Sequence, residues 1–210
     1  LAINPESQGK LNWYHEWYPN VVTDFHEMGS QSTYFFEPMK ANGSKDPIMP
    51  KENYTQLNDL FATYFTKGLD SIGSLYFTKE VFDGTYPGYG SSYPDLQGGL
   101  GILFEQASSR GLKQKTPYGH ITFPFTIRNQ FVSSIATVQA AVENKTLLRD
   151  YQKAFFESAL TRSKRSKIRA YNFTETDHNK AKAFLDKLDR QKVNVLKTGN
   201  NSYSVLQHKS

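Results

Sequence analysis

Apolar residues fall into short blocks separated by polar, glycine-rich and proline-rich stretches, and the spacing within each block differs. Val21, Val22 and Phe25 form a brief run that His26, Glu27, Gly29 and Ser30 close at once. Such a run predicts a short strand covered on both faces, giving way to a loop where the chain turns polar. Leu100-Gly-Ile-Leu-Phe-Glu105 predicts a second buried strand, ending in a carboxylate as the first ends in an imidazole. Leu57, Leu60, Phe61, Tyr64 and Phe65 recur at helical spacing and predict an amphipathic helix with its stripe on a core. A second, short helical stretch is expected around Leu75 and Tyr76. Phe131, Ile135, Val138 and Val142 continue the helical pattern into a long helix, which Leu148, Tyr151 and Phe155 extend after a break near Asn144.

Between these blocks, residues 1–19 are polar and aromatic (Trp13, Tyr14, Trp17, Tyr18) and end at Pro19. The loop after the first strand places Tyr34, Phe35 and Phe36 either on the surface or along a cleft. Residues 83–99 are rich in glycine, proline and tyrosine, a loop whose turns are set by its glycines and prolines. Arg162-Ser-Lys-Arg-Ser-Lys167 reads as a helix end or linker. Beyond it, 168–173 predicts a strand, Asp177 a helix N-cap, Ala181, Phe184, Leu185 and Leu188 an apolar helix face, and 193–196 another strand. That is one βαβ unit, too small to bury its own sheet. The expected division is therefore a body at 1–163 and a second α/β element at 164–210.

Charge follows the same division. The chain of 210 residues carries a net +5, but residues 1–150 hold 12 Lys/Arg against 15 Asp/Glu and residues 151–210 hold 13 against 5. Solvated helix faces account for most of the basic tail, because its aromatics are not interleaved as stacking platforms; nucleic acid is not the expected partner. No apolar run approaches the roughly 20 residues needed to span a bilayer. With no cysteine, disulfides, thiolate zinc sites and cysteine nucleophiles are excluded, so any metal must be held by His and carboxylates. A chain opening on Leu1 reads as a processed or excised piece of something longer.

The candidate chemistry sits at the two strand ends. Ligands of open α/β sheets bind beyond the carboxyl ends of strands, where His26 would lie. Burying Glu105 at the end of an apolar strand would raise its pKa and suit a general base. The residues alone leave a satisfied strand-end histidine and a simply exposed carboxylate equally open. Other chemistries find less support. There is no phosphate loop, and Gly88-Tyr-Gly90 lacks the third glycine and the preceding strand of a dinucleotide site. No Gly-x-Ser-x-Gly elbow is present, and His26-Glu27-Met-Gly-Ser30 fails as His-Glu-x-x-His because Ser30 is no ligand.

Three segments in order, Val-Val-Thr-Asp-Phe-His26, then Tyr86-Pro-Gly-Tyr-Gly-Ser-Ser-Tyr93, then Gly-Ile-Leu-Phe-Glu105, resemble the zinc carboxypeptidases. In that family a strand ends in the last zinc-binding histidine, and a tyrosine-bearing loop precedes the strand ending in the catalytic glutamate. Phe123-Pro-Phe-Thr-Ile-Arg-Asn-Gln130 resembles the start of the family's closing helix, and Asp-Phe-His-Glu-Met-Gly resembles bacterial members with a further α/β domain. The likeness covers about residues 10–160. It implies an α/β fold with a mixed, largely parallel sheet flanked by helices, here incomplete, followed by the small βαβ unit. It implies His26 as a Zn2+ ligand, Glu105 as the base on zinc-bound water, Tyr86 as the mobile tyrosine closing over a peptide substrate, and Tyr89 and Tyr93 as substrate contacts. It also implies a periplasmic or secreted setting.

This chain departs from the family in two respects. The arginines and asparagine with which the family binds the peptide's terminal carboxylate and polarises its carbonyl have no counterpart before His26. The family's first two ligands lie on an upstream His-x-x-Glu, and none of the five histidines here, His15, His26, His120, His178 and His208, is followed three residues later by Glu. The expectation is the C-terminal portion of a catalytic domain, inactive alone and completed by an amino-terminal half. The alternative is a non-catalytic peptide- or glycan-binding relative that has lost the metal site.

Overall fold

Every residue of Leu100–Ala107 is buried, and this strand organises the larger part of the molecule. The computed structural model describes residues 2–41, 44, 46 and 48–207. In chain order the elements are α1 (Pro5–Trp17), β1 (Val21–Met28), β2 (Tyr34–Phe36), a π-helical turn (Asn53–Leu57) running into α2 (Asn58–Ser71), α3 (Ser92–Asp95) and β3 (Leu100–Ala107). A hairpin of β4 (Lys113–Thr116) and β5 (Gly119–Thr122) follows, then α4 (Phe123–Glu143), α5 (Lys145–Arg165), β6 (Ala170–Thr174), α6 (His178–Arg190), β7 (Val195–Lys197) and β8 (Ser202–Leu206). The chain forms two compact units, Pro19–Gln152 and the combination of Leu1–Tyr18 with Lys153–Ser210.

In the first unit the strand order is β1-β3-β2. β1 runs parallel to β3 over its full length, whereas β2 is antiparallel to β3. The other two sheets are antiparallel as well, so the fold is mixed α/β and its strands are not largely parallel as expected. Phe104 is the centre of the core, stacked on Phe25 at 4.6 Å and met edge-on by Phe65 at 4.9 Å. With Leu57, Phe61, Leu69, Leu100 and Ile102 it is fully buried, each such side chain contributing about 1.5–3 kcal/mol of transfer free energy.

Three expectations are corrected here. Tyr34, Phe35 and Phe36 are not surface or cleft residues: they form β2 and are fully buried, because pairing with β3 satisfies their backbone. The stretch around Leu75 and Tyr76 is not helical; it is extended, with Phe77 bridging Phe35 and Tyr76 packed on Phe36. β1 is not covered on both faces, being half-buried and without a strand on its outer side among the described residues.

The helices α2 and α4 show the most instructive difference. α2 buries Phe61, Phe65 and Leu69, as its stripe predicts. α4 does the reverse: Ile127, Phe131, Ile135, Val138 and Val142 are exposed, while Thr126, Asn129, Ser133, Ala136, Thr137 and Ala140 are buried. Small residues let the two helices cross closely, and a Cβ at Gly68 of α2 would sit 3.0 Å from Val132 Cγ1 and 3.7 Å from Ala136 Cβ. Asn129 is inside because its amide donates to Gln106 Oε1 at 2.9 Å. The break at Asn144 separates α4 from α5 as expected.

In the second unit, α6 starts at Asp177, whose carboxylate accepts from Asn179 N and Lys180 N at 2.9 and 3.1 Å. The predicted βαβ unit is really βαββ: β8 lies between β6 and β7, antiparallel to both. Phe173 of β6 stacks on Tyr203 of β8 and meets Phe184 of α6 edge-on at 5.0 Å. α1, which the sequence pattern did not predict, joins this unit through Gln8, whose Oε1 accepts from Arg190 Nη1 at 2.9 Å.

Candidate functional site at the paired strand ends

His26 and Glu105 are direct register partners on β1 and β3. Each lies two residues inside its strand rather than at the end expected of it, because pairing runs on to Met28 and Ala107. Neighbours in a parallel pair share a face of the sheet, so imidazole and carboxyl stand side by side. Two residues before His26, Asp24 returns to that same face. Its Oδ1 accepts from His26 Nε2 at 3.1 Å, with the imidazole 51% and the Asp24 side chain 27% exposed. That pairing leaves Nδ1 as the ring nitrogen for another partner. Phe25, between them, lies on the opposite face, its ring stacked on Phe104 and still partly open to solvent. The alternation thus anchors the strand while presenting its polar pair.

Glu105 is buried, and burial pushes its carboxyl above the ordinary range. The neighbouring imidazole opposes that shift, and the Asp24 charge adds to it. A carboxyl with raised proton affinity beside an accessible imidazole can take a proton from a molecule bound over the sheet face.

Two glycines bring the tyrosine loop to this place. Gly101 passes directly against the Ser91 backbone, and Gly90 lies against the Asp24 carboxylate, so a side chain at either would collide. The loop therefore crosses the start of β3 and ends beside Asp24. Tyr86 and Tyr89 are 41% and 44% exposed, with rings in an edge-to-face pair at 5.2 Å. Tyr93 is half-buried on α3, its backbone amide donating to the Tyr89 carbonyl at 3.0 Å. His26, Glu105 and the Tyr86–Tyr89 pair are carried by elements in contact.

Sequence reasoning missed Asp24. The signal was the i, i+2 spacing of Asp24 and His26, which any strand assignment places on one face. It also missed a shallow cleft of ≈ 330 Å³ past the strand ends, lined by Glu27, Met28, Ser30, Ser108, Arg110 and Gln114. There Ser108 Oγ donates to Glu27 Oε2 at 3.1 Å.

A catalytic zinc takes about three protein ligands. Among the described residues no group of three or more His, Asp or Glu side chains is arranged to hold a metal ion. The described residues therefore do not by themselves complete a zinc site. The Asp24–His26 pair does match one part of such a site, the outer carboxylate that orients a ligating imidazole. Comparison with protein-family models, with curated proteins and with solved structures finds no match for the chain.

Proposed function

We propose that the chain supplies one imidazole ligand and the general base of a carboxypeptidase-like, zinc-dependent metallopeptidase, acting on a peptide or cell-wall peptide. The reading rests on one observation: His26 and Glu105 are register partners on parallel strands, on one face, with the imidazole exposed and the carboxyl buried. The remaining ligands would come from a His-x-x-Glu segment in an amino-terminal half. The free edge of β1 and the exposed stripe of α4 are where a further strand and its covering layer would pack. Gln130 of α4 already reaches that edge, its Nε2 donating to the His26 carbonyl at 3.4 Å.

In this reading His26 would be the one ligand this chain supplies to the zinc, through the ring nitrogen that Asp24 leaves free by holding Nε2. Glu105, kept above the ordinary carboxylate range by burial, accepts a proton from the attacking water and returns it to the leaving amine. Tyr86 and Tyr89 offer aromatic faces to the substrate from the adjoining loop. Zinc, when bound, would supply a Lewis acid for the water and the scissile carbonyl.

The test is zinc stoichiometry and peptide hydrolysis of the chain co-expressed with its His-x-x-Glu partner segment. One zinc per complex, lost in His26→Ala, is expected. Glu105→Gln should keep the zinc and lower kcat by about 10²–10⁴-fold. Peptide binding through Tyr86 and Tyr89 without any zinc would overturn the reading in favour of a non-catalytic binding module.

A further inference from the structure

The cleft past the ends of β1 and β3 is lined by two side chains of opposite charge, Glu27 from β1 and Arg110 from the loop after β3. They do not neutralise each other, since none of the ion pairs among the described residues includes either one. Glu27 Oε2 accepts from Ser108 Oγ at 3.1 Å, which leaves Oε1 without a partner among the described residues. The Arg110 guanidinium makes no hydrogen bond to a described residue. Only its backbone is engaged, the N–H donating to Ser108 Oγ at 3.2 Å and the carbonyl accepting from Gln114 Nε2. Ser30 and Gln114 also line the cleft. Ser30 Oγ accepts from Gln31 Nε2 at 3.3 Å and keeps its own proton to donate, whereas Gln114 keeps its Oε1 to accept.

The walls of the cleft are held in place by the backbone. Ser108 N donates to the Met28 carbonyl at 3.0 Å, tying the loop to the end of β1. After Arg110 the chain turns through two left-handed residues, Gly111 at φ +84° and Leu112 at φ +75°. Glycine adopts that conformation freely, but for leucine it costs roughly 1–2 kcal/mol. The Leu112 side chain is 68% exposed, so its own packing does not offset the cost. The turn brings Gln114 back onto the Arg110 carbonyl and puts both side chains along the cleft. A non-glycine residue kept in this region beside a concavity points to a function for the turn.

Opposite charges in one cleft select against ligands that carry a single charge. An anion on Arg110 meets the Glu27 carboxylate, and a cation on Glu27 meets the guanidinium, so each is repelled by one wall. A ligand with both charges satisfies both walls, and the neutral groups sort the same way. We propose that this cleft binds an amino-carboxylate head group. Arg110 and Ser30 donate to its carboxylate, while Glu27 Oε1 and Gln114 Oε1 accept from its ammonium. The cleft volume of ≈ 330 Å³ suits a group of that size.

Two sources carry this head group: a free α-amino acid, and a peptide side chain that ends in both an amino and a carboxylate group. Glu27 follows His26 directly, so the cleft adjoins the pair of His26 and Glu105. In the peptidase reading, on which this last step alone rests, the cleft is a subsite that chooses the substrate residue beside the scissile bond. Binding of the head group itself needs no zinc.

The test is an NMR titration of the full chain that follows the amides of Glu27, Ser108 and Arg110. The probes are alanine, acetate, methylamine and a blocked peptide containing a diaminopimelate residue. The tighter of alanine and the peptide should bind about 10-fold or more tightly than acetate or methylamine. Tighter binding of the peptide identifies the substrate side chain as the source, and tighter binding of alanine the free amino acid. Glu27→Gln, which keeps an acceptor for Ser108 Oγ, should weaken the preferred probe by about 10-fold and strengthen acetate. Arg110→Gln should weaken it as much and strengthen methylamine. Probe binding by a chain whose co-expressed complex takes up no zinc would sink the peptidase reading and leave the cleft standing. Acetate binding as tightly as the preferred probe overturns the proposal. So do variants that weaken all probes alike, or cleft amides that neither alanine nor the peptide moves.

Discussion

β1 and β3 have the same length of 8 residues and run in full parallel register, yet they occupy opposite environments. β3 has a strand on each side and helices over its face, and all of it is buried. Among the described residues β1 has one strand neighbour, and Phe25 is still 37% exposed although its ring stacks on Phe104. The number of neighbours, not the apolar content of the run, sets the burial of a strand. For the site this means that Glu105 has a fixed, desolvated setting while His26 remains open to a partner.

The largest test of that contrast is the pair of aromatic truncations across the strands. Phe104→Ala should cost about 3–5 kcal/mol in denaturant unfolding. Phe25→Ala should cost less than half as much, because its ring already meets solvent. Equal losses would show that β1 is as much a part of the core as β3. A smaller effect is expected at the backbone. Gly101→Ala would force a side chain into the Ser91 backbone and should cost about 1–3 kcal/mol, with faster amide exchange around Ile102. Gly29→Ala, just past β1 with nothing within 4 Å of its would-be Cβ, should be close to neutral.

The smallest effect sharpens the electrostatic side of the comparison. Asp24→Asn removes a charge that raises the Glu105 carboxyl, so the Glu105 titration should move down toward its ordinary value. Overall stability should change little, since Asp24 is partly solvated. Glu105 has a raised folded-state value, so its contribution to stability is complete at low pH and falls as pH rises from the ordinary carboxylate range through the folded value. The Asn variant should show this loss over a narrower pH window. A Glu105 titration unmoved by Asp24→Asn would separate the two carboxylates.

Much of the fold was legible where local pattern and tertiary environment agree. The α2 stripe, the β3 run, the Asp177 cap and the break at Asn144 all follow from residue spacing or capping chemistry. α4 was legible as a helix but not in its orientation. Its apolar stripe marks a face able to bury, whereas close crossing at Gly68 selected the small face instead. β8 escaped notice because Ser202-Tyr-Ser-Val-Leu206 alternates weakly and its burial depends on β6 and β7 being in place. Tyr34–Phe36 was read as loop because three aromatics gain strand character only through pairing with β3.

The order of His26, the tyrosine loop and Glu105 is written in the chain, as is the alternation that puts Asp24 and His26 on one face. Those features follow from covalent spacing and strand geometry. That His26 and Glu105 are register partners is a different kind of fact, since 78 residues of sequence separate positions that the sheet makes adjacent. Two buried carboxyls belong to the same class: Glu37 Oε1 accepts from Leu103 N at 3.0 Å and Asp95 Oδ1 from Gly101 N at 2.7 Å. Only the end of β2 leaves the amides of Gly101 and Leu103 without a strand, and only folding removes the water that would otherwise serve them. Long-range pairing and desolvation are properties of the assembled sheet, and they decided which of this protein's carboxyls are chemically unusual.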